Sequence, residues 1–174
     1  MTCIIGFKSN GVIYMAADSA ATSDDGDVRP IVAEKIIRNG EYLIGFAGSI
    51  RAGQIASSKW FSDPPDNIEE FVESLRLLME ELGCLVTTEV STSMSQSCFL
   101  IAHKGELYEI LMDFAVNKVE GDFTTIGSGA PYALAAMDAI QDQDLSPSEK
   151  LIKALTIATK YNVTVREPYV IEKY

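Results

Sequence analysis

The sequence predicts an α+β domain in which two antiparallel sheets are held between two helical layers, a four-layer αββα sandwich. Three observations predict it. The elements run strands, two helices, strands, two helices, strand; turn signals make neighbouring strands antiparallel; and the helices carry apolar faces able to cover the sheets. On pattern alone a generic α+β arrangement fits nearly as well. With 174 residues and no repeat, low-complexity tract or linker-like stretch, residues 1–174 are read as a single domain.

The first two strands are expected at 2–8 and 12–18, short runs rich in Ile and Val on either side of Ser9-Asn10-Gly11. Asn-Gly is a strong hairpin signal because both residues tolerate positive φ. The same grammar recurs at 33–38 and 42–47 around Asn39-Gly40, and a helix follows Gly48. After Asp63-Pro64-Pro65, a helix from Asp66 to Gly83 places Ile68, Phe71, Val72, Leu75, Leu78, Met79 and Leu82 on one face. Asp66 and Glu69 have the spacing of a capping box. Strands return at 97–102 and 106–111 around Lys104-Gly105, then at 114–119 and 122–127. Pro131 suits a first helical turn, and the Ala-rich run to Ile140 implies a helix packed closely between other elements. Ser146-Pro147-Ser148-Glu149 caps a helix to Tyr161, and a last strand covers 168–173.

A net charge of −11 makes the surface repel phosphate backbones, which argues against nucleic-acid binding. No apolar run is long enough to span a bilayer, and the N-terminus lacks the pattern of a signal peptide, so a cytoplasmic protein is expected. Cys3, Cys84 and Cys98 form no CxxC pair, and with one histidine the chain offers neither a disulfide framework nor a zinc site. His103, in a hairpin strand, reads as structural.

Several residues invite a chemical reading, and each has a plainer one beside it. Thr2 follows Met1 as in many ordinary N-termini. Asp18 ends a strand, where turn acids are common. Lys35 lies between Ala33 and Ile37 on one strand face, the usual setting of a snorkelling lysine. Gly45-Phe46-Ala47-Gly48-Ser49 ends a strand and opens a helix, aiming backbone N–H groups where an oxyanion could be held.

Taken together and in order, Met1-Thr2-Cys3-Ile4-Ile5-Gly6, Ala16-Ala17-Asp18, Lys35 and Gly45-Phe46-Ala47-Gly48 resemble the N-terminal half of the HslV and proteasome β family. The resemblance resumes at Thr125-Ile126-Gly127-Ser128-Gly129-Ala130-Pro131-Tyr132-Ala133 and continues through Leu145-Ser146 to Ala158, with a weaker middle from 55 to 120. HslV is the nearer form by motif and length. The resemblance implies the N-terminal-nucleophile hydrolase fold and a threonine-type endopeptidase. In it Thr2, freed of Met1, is the nucleophile, Lys35 favours its alkoxide, and Asp18 holds Lys35. The Gly48 N–H serves the oxyanion and Ser128 positions the α-amine. The family's S1 pocket falls on Ala21, Ala33, Ile37, Phe46, Ile50 and Gln54, a mostly apolar set that implies cleavage after apolar residues; some of these, Phe46 above all, read equally as core.

The resemblance also implies homo-oligomeric rings or stacked rings enclosing the sites, peptide or unfolded-protein substrates, and an ATPase unfoldase as a candidate partner. No cofactor is required, although backbone carbonyls of Thr159, Asn162 and Val165 match a monovalent-cation (Na+) site, with Lys160 close by as a competing charge. The chain departs from the proteasome form in having no acid between 159 and 165, and its tail from Arg166 to Tyr174 is unlike that of HslV. Two other readings stay open: a catalytically silent proteasome-like ring or scaffold subunit that keeps Met1, and an N-terminal-nucleophile amidase acting on small amides.

Overall fold

Two-residue loops that admit positive φ fix the register of the first hairpins. In the computed structural model, which describes residues 2–22, 28–29, 34–87, 92–94 and 97–174, β1 (Ile4–Ser9) and β2 (Val12–Asp18) join at Asn10 (φ 51°) and Gly11 (φ 75°). Two positive φ values give the turn whose twist suits paired strands. A two-residue pair follows, β3 (Ala21–Thr22) with β4 (Val28–Arg29). Next come β5 (Ile36–Asn39) and β6 (Tyr42–Ala47). Their loop is Gly40-Glu41, one residue later than expected, because Asn39 pairs with Tyr42 and its buried side chain donates to the carbonyls of Ala56 (3.0 Å) and Phe61 (2.8 Å). The strand expected from residue 33 begins at Ile36; residues 30–33 lie outside the described set.

Helix α1 (Ile50–Ala56) is capped by Ser49, and α2 (Ile68–Glu81) by Asn67, whose side chain accepts from the Glu70 N–H at 3.0 Å. The expected Asp66–Glu69 capping box is therefore not formed. The helix starts one residue later, and Asp66 instead accepts from Lys104 Nζ (2.5 Å). The short β7 (Val86–Thr87) and β8 (Thr92–Ser93) pair with each other. Then come β9 (Cys98–His103), β10 (Glu106–Ile110), β11 (Val116–Lys118) and β12 (Phe123–Ile126), with Lys104 and Gly105 both at positive φ in the turn after β9. Helices α3 (Ala130–Ile140) and α4 (Pro147–Tyr161) precede β13 (Tyr169–Lys173), and α4 carries the expected Ser146–Glu149 capping box.

The strands form two main antiparallel sheets, β12-β1-β2-β13 and β11-β10-β9-β6-β5. Alternation along each strand splits the apolar residues between faces. Ile4, Met15, Leu43 and Leu100 meet between the sheets. Ile5, Phe7 and Ala16 pack under Ala133, Met137, Leu151 and Leu155 of α3 and α4. Ile44, Phe46, Phe99 and Ile101 pack under Ile55, Phe71, Leu75 and Met79 of α1 and α2. This is the predicted αββα sandwich. The sheets approach closely at Gly45, where a Cβ would stand 2.7 Å from Met15 Sδ and 2.9 Å from Ile4 Cγ2. Helix α3 buries Ala133, Ala136, Met137 and Ile140 but leaves Tyr132 and Leu134 exposed, so within one chain it is covered on one side only.

The cap assignment is testable. Asn67→Ala is expected to lower stability by about 1 kcal/mol in urea unfolding, and Asp66→Ala by less; the reverse order would place the cap at Asp66.

Candidate active site

Thr2 precedes β1 and is buried beside the loop from Gly127 to Gly129, which links β12 to α3. The Gly129 N–H donates to the Thr2 carbonyl at 3.1 Å. The Thr2 N–H donates to Ser128 Oγ at 3.2 Å, and Ser128 Oγ lies 3.4 Å from the Thr2 carbonyl and 3.4 Å from Thr164 Oγ1. At Gly127 (φ 93°) a Cβ would stand 2.3 Å from the Thr2 oxygen. A glycine is required there on both counts, positive φ and close backbone approach. In the full sequence Thr2 follows Met1, so its nitrogen is a peptide N–H.

Asp18 ends β2 one step beyond the Ile4–Ala17 pair, which sets it against the segment entering β1. Asp18 is 1% exposed, and its carboxylate accepts four hydrogen bonds. Oδ1 takes Lys35 Nζ (2.8 Å) and the Cys3 N–H (2.9 Å); Oδ2 takes the N–H groups of Ala20 (3.2 Å) and Arg166 (3.3 Å). Lys35 is 6% exposed, so it is a buried partner of Asp18 and not a snorkelling surface residue. It lies just before β5, its carbonyl still accepting from the Phe46 N–H at 3.0 Å. Burial pushes its ammonium below the usual lysine value, and the Asp18 charge and hydrogen bond oppose that shift. The neighbouring Cys3 thiol is pushed up to about 12, by burial first and then by Asp18, which keeps it protonated.

Ala47 ends β6 against this cluster: the Cβ position at Gly127 that meets the Thr2 oxygen is also 3.3 Å from Ala47 Cβ. Gly48 follows at φ 105°, and the Ser49 N–H donates to Ser97 Oγ at 3.0 Å. Of the S1-pocket candidates, Ala33 lies outside the described residues. Phe46 is buried under α1, its ring occupying the space a Cβ at Gly53 would need (2.3 Å), so in this chain it is a core residue. Ile37 packs at the edge of the same cluster, Ala21 is half-buried in β3, and Ile50 and Gln54 are exposed one turn apart on α1. His103 stacks on Tyr42 (4.1 Å between ring centroids) with its ring nitrogens against the carbonyls of Glu41 and Asp66, away from Thr2.

The carbonyls of Thr159, Asn162 and Val165 do converge, and the group they converge on is Nη1 of Arg166, at 3.4, 3.4 and 2.9 Å. A metal ion does not fit beside that guanidinium. Among the described residues no group of three or more His, Cys, Asp and Glu could hold a metal, and no helix is long and apolar enough to cross a membrane.

Sequence reasoning did not single out Thr164, Asn162 as a side-chain partner, or Arg166. Asn162 Oδ1 accepts from the Thr164 N–H (3.0 Å) and Oγ1 (2.6 Å), and Thr164 Oγ1 in turn meets Ser128. The available signal was a lone arginine four residues past an asparagine at a helix end. The Asp18–Lys35 pair gives a direct test. Asp18→Ala leaves a buried ammonium without its carboxylate and is expected to cost about 3–5 kcal/mol in urea unfolding. Adding Lys35→Met is expected to recover part of that loss; a single-variant cost below about 1 kcal/mol would mean the pair is solvated.

No family model matches the chain. The ATP-dependent protease subunit HslV of Caldicellulosiruptor saccharolyticus is 29% identical over 175 residues, covering 95% of this chain and 97% of that one. Among solved structures, Thiobacillus denitrificans BPH in complex with epoxomicin matches with a TM-score of 0.79 at 25% identity, over 99% of this chain and 98% of that one. HslV from Trypanosoma brucei matches with a TM-score of 0.72, also at 25% identity and over 99% and 98%. Similarity over nearly the full length, in sequence and in fold, bears out the resemblance read from the motifs: the chain is similar to HslV subunits and shares their fold.

Proposed function

We propose that this chain is the catalytic subunit of a self-compartmentalising threonine endopeptidase, with Thr2 as nucleophile after Met1 is removed. The observation that carries the reading is the buried Asp18–Lys35 pair tied to the backbone next to Thr2, with Ser128 on the Thr2 nitrogen. A silent subunit has no physical need for a buried ion pair there, since an apolar pair of similar volume is often at least as stable.

In this reading, Thr2 Oγ1 attacks the scissile carbonyl carbon while its proton passes to the α-amine, directly or through a water. The Gly48 N–H stabilises the oxyanion. The tetrahedral intermediate collapses, the amine departs with the proton held by the α-ammonium, and an ester on Thr2 remains. Water then hydrolyses the ester, with the α-amine again as base. Lys35, kept charged by Asp18, favours the alkoxide throughout, and Ser128 orients the α-amine.

The same reading assigns an apolar P1 preference, because Ala21, Ala33, Ile37 and Ile50 offer no carboxylate to a basic side chain. Rings of the chain would enclose the sites, which keeps an unselective nucleophile from folded neighbours. Exposed apolar side chains, including Leu134 and Ile152, are available for packing between copies. The relative from Caldicellulosiruptor saccharolyticus is named an ATP-dependent protease subunit, and we extend to this chain an ATPase unfoldase as partner.

Hydrolysis of fluorogenic peptides tests the reading. Thr2→Ala is expected to abolish cleavage, and peptides with apolar P1 residues are expected to be cleaved faster than those with basic or acidic ones. The rate should rise as the α-amine loses its proton through about pH 7.7–8.0 and fall again, as Lys35 deprotonates, below the usual lysine value of 10.5. Cleavage that survives Thr2→Ala would overturn the proposal.

A further inference from the structure

Helix α4 ends with carbonyls that lack partners inside the helix, a place where positive charge is favoured. Three carbonyls spaced three residues apart, at Thr159, Asn162 and Val165, turn inward at that end. A single nitrogen, Arg166 Nη1, donates to all three, at 3.4, 3.4 and 2.9 Å. Two N–H bonds shared among three oxygens make a bifurcated, charge-assisted arrangement of the kind a small cation would otherwise fill. The Val165 N–H closes the turn onto the Asn162 carbonyl at 3.1 Å.

The same segment touches the candidate active site twice. The Arg166 backbone N–H donates to Asp18 Oδ2 (3.3 Å), and its carbonyl accepts from the Ser19 N–H (3.3 Å). Thr164, anchored on Asn162 Oδ1, meets Ser128 Oγ. Whatever holds residues 159–166 in place therefore also positions Asp18 and Ser128.

We infer that the Arg166 guanidinium is a built-in replacement for a monovalent metal ion at these carbonyls, so that the order of residues 159–166 depends on Arg166 and not on sodium or potassium. A metal ion at the same oxygens would sit in contact with a like charge, and the guanidinium cannot leave without unmaking its own bonds. The inference does not rest on peptidase activity, because it is read in stability.

The experiment compares the melting temperature of the full chain in sodium, potassium and choline chloride at equal ionic strength. The wild type is expected to melt at one temperature in all three. Arg166→Met is expected to melt lower in choline, by roughly 4 °C or more, and to regain part of the loss in sodium, which would then reach the vacated carbonyls. Sodium-dependent stabilisation of the wild type would overturn the inference. So would an Arg166→Met variant that melts with the wild type, or one whose loss sodium does not relieve. Should Arg166→Met fail to fold, Arg166→Lys, which keeps a charge at the carbonyls, is expected to fold with a melting temperature insensitive to sodium; a sodium-dependent one would contradict the inference.

Discussion

A single buried carboxylate organises the region around Thr2. Asp18 gathers donors from four stretches of chain: the N-terminal segment at Cys3, the turn after β2 at Ala20, the segment entering β5 at Lys35, and the stretch following α4 at Arg166. Burying a carboxylate and an ammonium together costs several kcal/mol of lost hydration per ion, and their attraction offsets that only when the remaining hydrogen-bonding capacity is also filled. Here all four bonds converge on two oxygens. The arrangement fixes geometry more than it adds stability, and geometry is what a nucleophile with an adjacent charge requires.

The surrounding fold makes that convergence possible. Antiparallel pairing of β1 with both β2 and β12 puts the start of β1 beside the end of β2 and the loop that leads into α3. The close approach of that loop depends on Gly127, whose backbone runs where a side chain would strike the Thr2 carbonyl. The second sheet supplies the remaining edge through β6, with Ala47 ending against the same cluster. Four separate segments thus meet at one end of the sandwich, while the three apolar layers hold the sheets in register.

Most of the fold was legible in the sequence because its signals are local. Asn10-Gly11 and Lys104-Gly105 announced their hairpins, and Ser146 with Glu149 announced the start of α4. The errors came where two adjacent residues compete for one role. Asn67 won the cap from Asp66, which found Lys104 instead, and Asn39 was drawn into the strand by two buried carbonyls. The site was harder. Lys35 looks like a surface lysine until its partner, seventeen positions away, is folded against it. Arg166 gave only a weak sign of its role, its place four residues past Asn162 at a helix end, because the three carbonyls it binds are backbone groups and carry no residue signature. Only the resemblance to HslV drew attention to those positions, as carbonyls for a monovalent cation; in the structure Arg166 Nη1 donates to the same three oxygens.

The central claim is that Thr2 acts with a free α-amine, and a covalent probe reads both features at once. A peptide epoxyketone forms its morpholine ring only with a threonine hydroxyl and an unblocked α-amine on the same residue. Intact mass of the purified protein before and after incubation with such a reagent is the measurement. The account predicts a chain lacking one methionine residue, which then gains one equivalent of reagent mapped to Thr2. A chain that keeps Met1 and takes up no reagent would contradict it and leave a proteasome-like subunit that builds a chamber without cutting.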